Sequence, residues 1–301
     1  MQMNSFSSYS QFIAGCIIYG MVGIFLSNIH DMQVGSIIFY RLSFGLIILG
    51  FYLGIRGGLG QLRLKGNKRY LVLLGVLNVF TMFSYFMAIK SINVSVAVLL
   101  LYTAPIYVTL LAPVILNERI ALLGIVALFL SIAGVILVTR PDGGFGSLEL
   151  GGNYLIGLMF GMVSGLSFAF IIFTVRYIRG DYSGISQLFW ASLVSIVVLF
   201  PYGFSVSIPV FVSNVHVLIL FGLSSTAIGS LLYVNGLANI EAHKGSILAL
   251  IEPVSVIFFA YFILNDPITR NMLLGCFLIL AGAGLAMVEK KEYPLPEDGL
   301  I

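Results

Sequence analysis

Two ionisable side chains stand inside long apolar stretches of this chain. Arg41 lies eight residues into the stretch 33–54, and Glu252 lies eight residues into the stretch 244–264. A charged side chain at the centre of a membrane helix costs at least about 2.5–3.5 kcal/mol, so its presence needs an explanation. We therefore interpret the pair as a candidate site that meets the charged ends of a bound solute. Glu252 is also a candidate carrier of a coupling proton.

The depths of Arg41 and Glu252 decide whether they can share one cavity. At a rise of 1.5 Å per residue, each lies about 12 Å from the end of its stretch, counted from opposite membrane faces. If the hydrocarbon layer is about 30 Å thick, their levels differ by about 6 Å, which an arginine side chain can span. A fixed ion pair, or an Arg41 side chain that extends to the membrane surface, would fit the same numbers.

Polar and aromatic side chains in other apolar stretches complete the candidate lining. Asn78, Thr81 and Tyr85 recur at intervals of three or four and so share one helix face. Aromatic rings beside a cation suit an amphipathic or ring-bearing solute. Hydrogen bonds between helices are the simpler explanation for any single residue of the set. The remaining candidates are Tyr40, Tyr102, Trp190, Tyr233 and Asn235.

The composition places these residues in a membrane protein. The chain is 59% hydrophobic and 9% charged, whereas soluble globular domains carry about 25% charged residues. The net charge of +3 is small, and no run of basic residues is interleaved with aromatic residues. Both observations argue against nucleic acid as a partner. Ten segments are long and apolar enough to cross a bilayer. They are 11–28, 33–54, 70–88, 94–115, 120–138, 153–175, 184–202, 215–236, 244–264 and 270–288.

The chain repeats one stretch of sequence at an interval of 148 residues. Residues 85–118 and 233–266 align without a gap and share nine of 34 positions, among them Pro105 and Pro253, which we expect to kink equivalent helices. Residues 1–148 and 149–292 then hold five spans each, followed by a polar tail at 293–301. When a unit with an odd number of spans is duplicated, the second copy must lie inverted in the bilayer relative to the first. The predicted fold is an all-α integral membrane protein of ten transmembrane helices in two inverted five-helix repeats.

The distribution of basic residues predicts the orientation. Eleven Lys and Arg residues outside the spans fall on the side that holds both termini, and three fall on the other side. By the positive-inside rule, both termini face the cytoplasm and the protein lies in the cytoplasmic membrane. Glu118, which ends the first repeat copy, then lies at the cytoplasmic face. Asp266, which ends the second copy, lies at the outer face.

The paired motifs resemble the EamA family of the drug/metabolite transporter superfamily. The matching stretches begin with TAP at 103–105 and EPV at 252–254, and end with LNE at 116–118 and LND at 264–266. Gly124 with Gly134, and Gly275 with Gly282 or Gly284, are similar to the glycine spacing of the helix that follows each corner. Asn117 and Asn265 depart from the Gly or Lys that is common there. The resemblance implies a central cavity between the halves and alternating access for a small metabolite.

We therefore expect a secondary active transporter for an amino acid or a related amphipathic organic solute, with export favoured. The expected partners are that solute and the lipid bilayer, while a coupling proton or other ion and a homodimer stay open. We expect no cofactor and no metal, since His30, His216 and His243 lie apart at span ends. The alternatives are an integral-membrane enzyme, which would need a clustered acid/base site, and a channel, which would need a filter-like loop.

Overall fold

The computed structural model describes residues 5–92, 94–139 and 152–288. Nine helices within these ranges are long and apolar enough to cross a membrane, and a shorter apolar helix completes the predicted ten. They are α1 (Ser7–Ser27), α2 (Val34–Ile55), α3 (Arg69–Ser91), α4 (Val96–Ile115), α5 (Leu122–Val138, the shorter one), α6 (Tyr154–Gly180), α7 (Gly184–Gly203), α8 (Ile208–Asn239), α9 (Ala242–Leu264) and α10 (Arg270–Val288). The predicted fold class is confirmed. The divide at 140–151, the tail 293–301, and the counted cations Arg140, Lys290 and Lys291 lie outside the described residues.

The largest difference from the predicted spans is the start of α8. The helix begins at Ile208, seven positions before the predicted 215, and Pro209 stands in its first turn. Proline is favoured there because the first-turn N–H groups of a helix have no intrahelical partner. Within α8, residues Gly222–Ser230 form a π-helical segment. No hydropathy pattern distinguishes such a segment from an ordinary helix.

Helices α4 and α9, which carry the repeated sequence, are both interrupted near their centres. The helix that contains the first part of α4 begins two residues before the span, and its segments are Val94–Leu101 and Ala104–Ile115. In α9 the segments are Ala242–Ala249 and Ile251–Phe259. Pro105 and Pro253 stand in the first turn after each break. Proline cannot donate the helical hydrogen bond and its ring clashes with the preceding turn, so it kinks or breaks a helix, and it is tolerated best in a first turn.

The corners after α4 and α9 have the same backbone conformation. Asn117 and Asn265 both have positive φ values, 52° and 59°. The next N–H group closes each corner: that of Glu118 donates to Ala112 O at 3.3 Å, and that of Asp266 donates to the equivalent alanine carbonyl at 3.2 Å. Asparagine tolerates the left-handed region better than other residues with a Cβ. This accounts for asparagine at both of these equivalent positions.

The two halves are interlocked through their first helices. Helix α1 packs against α8 and α9 of the second half, and α6 packs against α3 and α4 of the first half. Glycines allow these approaches: a Cβ on Gly20 would lie 2.8 Å from the Ser255 backbone, and one on Gly165 would lie 2.5 Å from Leu100 O. Small residues are the usual means of close helix contact in lipid. Each broken helix therefore lies against the opposite half.

The last helices of the two halves, α5 and α10, form a second seam between them. A Cβ on Gly134 would lie 2.6 Å from Gly275 O, and one on Gly282 would lie 2.6 Å from Ala127 O. Gly284 lies on the same helix as Gly282, but a Cβ on Gly284 would meet no described atom within 4 Å.

We predict that Gly282→Ala lowers the melting temperature in detergent relative to Gly284→Ala. The added methyl group at position 282 meets backbone of α5, so the helices must separate at a cost of about 1–3 kcal/mol. Both substitutions give the same gain in helix propensity, so their difference isolates the packing. Equal melting temperatures would show that this seam is not tightly packed.

Candidate functional site

Glu252 lies deep in the protein at the start of the second segment of α9. The residue as a whole is half-buried. Among the described residues, none donates a hydrogen bond to this carboxylate or forms an ion pair with it. A carboxylate at this depth is costly unless it meets water, a proton or a ligand. The arrangement therefore leaves Glu252 available for binding.

Tyrosine side chains from several helices surround Glu252. Those within electrostatic reach of its carboxylate are Tyr19 on α1, Tyr85 on α3, Tyr102 on α4 and Tyr233 on α8. The Cys16 thiol, which is buried, also lies within this reach. Both halves of the molecule contribute, so the cluster lies at their interface. Three of these tyrosines, Tyr85, Tyr102 and Tyr233, belong to the predicted set.

Tyr19 belongs to the cluster but is absent from the predicted set. Its hydroxyl donates to Ser230 Oγ at 2.8 Å, and its ring centroid lies 5.4 Å from that of Tyr233. Its hydroxyl lies within electrostatic reach of both Glu252 and Arg41. The only signal in the sequence is its place beside Gly20, where α1 meets α9.

Arg41 lies on α2 with its guanidinium over the ring of Phe221, 5.1 Å from the ring centroid. Its Nε is buried and has no hydrogen-bond partner in the part of the chain that the structure describes. The described side chains also show no ion pair between Arg41 and Glu252. Arg41 and Glu252 are therefore not paired with each other, and each can form further hydrogen bonds. Tyr19 lies within electrostatic reach of both.

The π-helical segment of α8 connects these contacts. It begins directly after Phe221, which faces Arg41, and it ends at Ser230, which binds Tyr19. A Cβ on Gly222 would lie 2.8 Å from Arg41 O, so only glycine fits this approach of α8 to α2. π-Helical turns are rare and occur frequently at functional sites.

Tyr40 and Thr81 of the predicted set have protein partners of their own. The hydroxyl of Tyr40 donates to Gly203 O at 2.7 Å, which ties α2 to α7. The Oγ1 atom of Thr81 lies 2.7 Å from Ser167 Oγ in the contact between α3 and α6. These bonds between helices match the simpler explanation given for single polar residues.

The other predicted residues are not part of the tyrosine cluster. Trp190 Nε1 donates to Leu62 O at 3.0 Å and so anchors the basic loop between α2 and α3. The side chain of Asn235 packs against Gly184 at the start of α7. Asn78 is half-buried, two turns before Tyr85 on α3. His243, expected at a membrane surface, is instead buried beside Glu118, with Nδ1 3.4 Å from Oε2.

Known proteins share this architecture over most of its length. A protein of Archaeoglobus fulgidus named an uncharacterized transporter is 31% identical over 278 residues, covering 92% of this chain and 95% of that protein. One of Rickettsia bellii named an S-adenosylmethionine uptake transporter is 23% identical over 267 residues, covering 88% and 87%. A crystal structure with 16% identity superposes with a TM-score of 0.77 over 93% of this chain and 96% of that one. This last similarity shows the fold.

The family comparison matches both halves separately. The model of the EamA-like transporter family matches residues 7–140 and again residues 155–288. The two matches cover the two five-helix halves and leave out the divide between them. The chain therefore belongs to the EamA-like transporter family.

Proposed function

We propose that the protein is a secondary active transporter that exports a small amphipathic organic solute, such as an amino acid or a related amine, across the cytoplasmic membrane. The observation that carries this proposal is Glu252, a deep carboxylate that has no partner among the described residues and lies within electrostatic reach of tyrosines from both halves. A carboxylate among aromatic rings suits a cationic group with apolar surface beside it.

The position of this cluster supports alternating access. Its residues come from both inverted halves, so a rocking motion of one half against the other would expose them to each membrane face in turn. The breaks in α4 and α9 lie close to the cluster, since Tyr102 stands in the first break and Glu252 follows the second. If Glu252 binds an incoming proton as it releases the solute to the outside, the inward proton gradient drives the exchange of proton for solute. The direction of transport is then export.

Arg41 supplies the second charge of the proposed site. Its Nε is buried without a described partner, and its guanidinium forms no ion pair with Glu252. Arg41 is therefore able to bind an anionic group of the solute. The name of the Rickettsia relative supports the same solute chemistry, since S-adenosylmethionine carries both a cationic centre and an amino acid end. That name specifies uptake, so the direction of flux is an outcome of the experiments below.

We predict that Glu252→Gln abolishes coupling to a pH gradient. The purified protein would be reconstituted into liposomes and tested with labelled amino acids and organic cations, with and without the gradient. The amide cannot exchange a proton and lacks the negative charge, so gradient-driven flux of a cationic solute should fall at least roughly tenfold. Asp266→Asn, the same chemical change at an exposed carboxylate, is the control. Unchanged coupling in Glu252→Gln would refute the proposed role.

Arg41→Gln should change which solutes compete for transport. In this variant, solutes that carry a carboxylate should compete for transport roughly tenfold more weakly, because a charged hydrogen bond is lost. Competition by simple organic cations should be unchanged. Arg270→Gln, at an exposed arginine, serves as the control. Equal losses for both solute classes would contradict an anion subsite at Arg41.

The hydroxyls of Tyr233 and Tyr40 provide a matched pair. That of Tyr233 is buried without a described partner, whereas that of Tyr40 donates to Gly203 O. Tyr40→Phe should lower stability by about 0.5–1.5 kcal/mol and leave solute affinity unchanged. Tyr233→Phe should leave the melting temperature unchanged or raised, and weaken solute binding. The reverse pattern would place Tyr233 outside the binding site.

A further inference from the structure

The corners after α4 and α9 share one backbone conformation but differ in their acidic side chains. Glu118 and Asp266 are equivalent positions of the repeat, and both follow an asparagine in the left-handed conformation. The side chain of Glu118 is 9% exposed, whereas Asp266 is exposed. Since the backbone is equal, the difference arises from what surrounds each corner.

The carboxylate of Glu118, a residue of the first half, is bound by groups of the second half. The Ala242 N–H at the start of α9 donates to both carboxylate oxygens, at 2.7 Å and 2.9 Å. Arg176 Nη2 at the end of α6 donates to Oε1 at 3.0 Å, and His243 Nδ1 lies 3.4 Å from Oε2. Arg176 Nη1 also donates to Ala238 O at 2.9 Å. These contacts join the ends of α4, α6 and α8 to the start of α9.

The charge of Glu118 strengthens these contacts. Burial raises the pKa of Glu118, but the bonds from His243, the Ala242 amide and the Arg176 guanidinium outweigh it and hold the pKa below its ordinary value. The carboxylate is therefore ionised at neutral pH, and its hydrogen bonds are of the charge-assisted kind, about twice as strong as neutral ones. A carboxylate at a helix N-terminus also meets the favourable end of the helix dipole.

Asp266 has no such surroundings. Within the described ranges, its side chain forms no hydrogen bond and no ion pair, and only its backbone N–H is bonded, to Ala260 O. In two inverted halves, equivalent contacts lie on opposite membrane faces. A carboxylate that is bonded at one corner, and exposed without a described partner at the equivalent corner, is expected of a molecule that is closed at the first face.

We propose that Glu118, Arg176 and the start of α9 form a gate that closes the membrane face on which they lie, and that this gate must release for that face to open. The proposal goes beyond the solute site and rests on alternating access. Helix α9 connects the two regions: its first segment begins at Ala242, which Glu118 holds, and its second segment carries Glu252. Release of Ala242 would free the first segment to move about the break at Leu250.

A merely structural role for Glu118 makes a different prediction. If the carboxylate only stabilises the fold, its removal lowers the melting temperature without opening the interior. If it holds a gate, its removal shifts the population towards a state that is open at that face. The measurement must therefore report access from one face, and not stability or flux alone.

Cys16 provides a native reporter for this measurement. Its thiol is fully buried and within electrostatic reach of Glu252, so we expect a reagent to reach it only when the interior opens. In a Cys276→Ser background, a membrane-impermeant maleimide would be applied to oriented vesicles from each face in turn. In Glu118→Gln we expect the maleimide to modify Cys16 about tenfold faster from the Glu118 face. This factor corresponds to the loss of one charged hydrogen bond. Asp266→Asn, the matched change at the other corner, should label at the unmodified rate.

Arg176→Gln provides a second variant in case Glu118→Gln does not fold, because it removes one bond from the second half and leaves Glu118 on Ala242. It should also label faster from the Glu118 face, and size-exclusion chromatography would verify that each variant is folded. Unmodified labelling rates in folded Arg176→Gln or Glu118→Gln, or equal acceleration by Asp266→Asn, would overturn the gate. The readout needs no solute, so its failure is distinct from failure of the proposed transport activity.

Discussion

The carboxylate of Glu118 bonds the first N–H group of a helix that belongs to the other half of the molecule. Hydrocarbon offers backbone groups no partner, so a membrane helix can break only where protein or trapped water satisfies the freed N–H and C=O groups. Helix α9 begins at Ala242 and is interrupted again at Leu250. Its shape, and with it the position of Glu252, therefore depends on groups supplied by the opposite half.

The fold was largely predictable, because lipid requires apolar runs of about 20 residues and these stand out in any sequence. The repeat added the inversion of the halves. The early start of α8 was missed because Ile208 and Pro209 lie before the most apolar window, although proline in a first turn is itself a start signal. The π-helical segment and the break at Met21 in α1 have no counterpart in hydropathy.

The candidate site was predictable in part. Glu252 was identified because a charge in hydrocarbon needs a reason, and Tyr85 followed from the helical spacing of polar residues in its span. Tyr19 and the partners of Glu118 were missed because their contacts join residues 211 and 124 positions apart. Spacing along one helix cannot show such contacts. Trp190 stood out as the single tryptophan, yet it anchors a loop, since an indole N–H needs an acceptor wherever it is buried.

The interlocking of the first helices bears on the order of events during synthesis. Helix α1 is synthesised well before the residues that it packs against, such as Ser255 on α9. Until then its glycine-lined face can contact only lipid or the insertion machinery. The amino-terminal half therefore cannot reach its final packing as a separate domain, and a chain arrested before α9 would leave α1 without its native neighbours. The native packing of α1 therefore waits for the synthesis of α9.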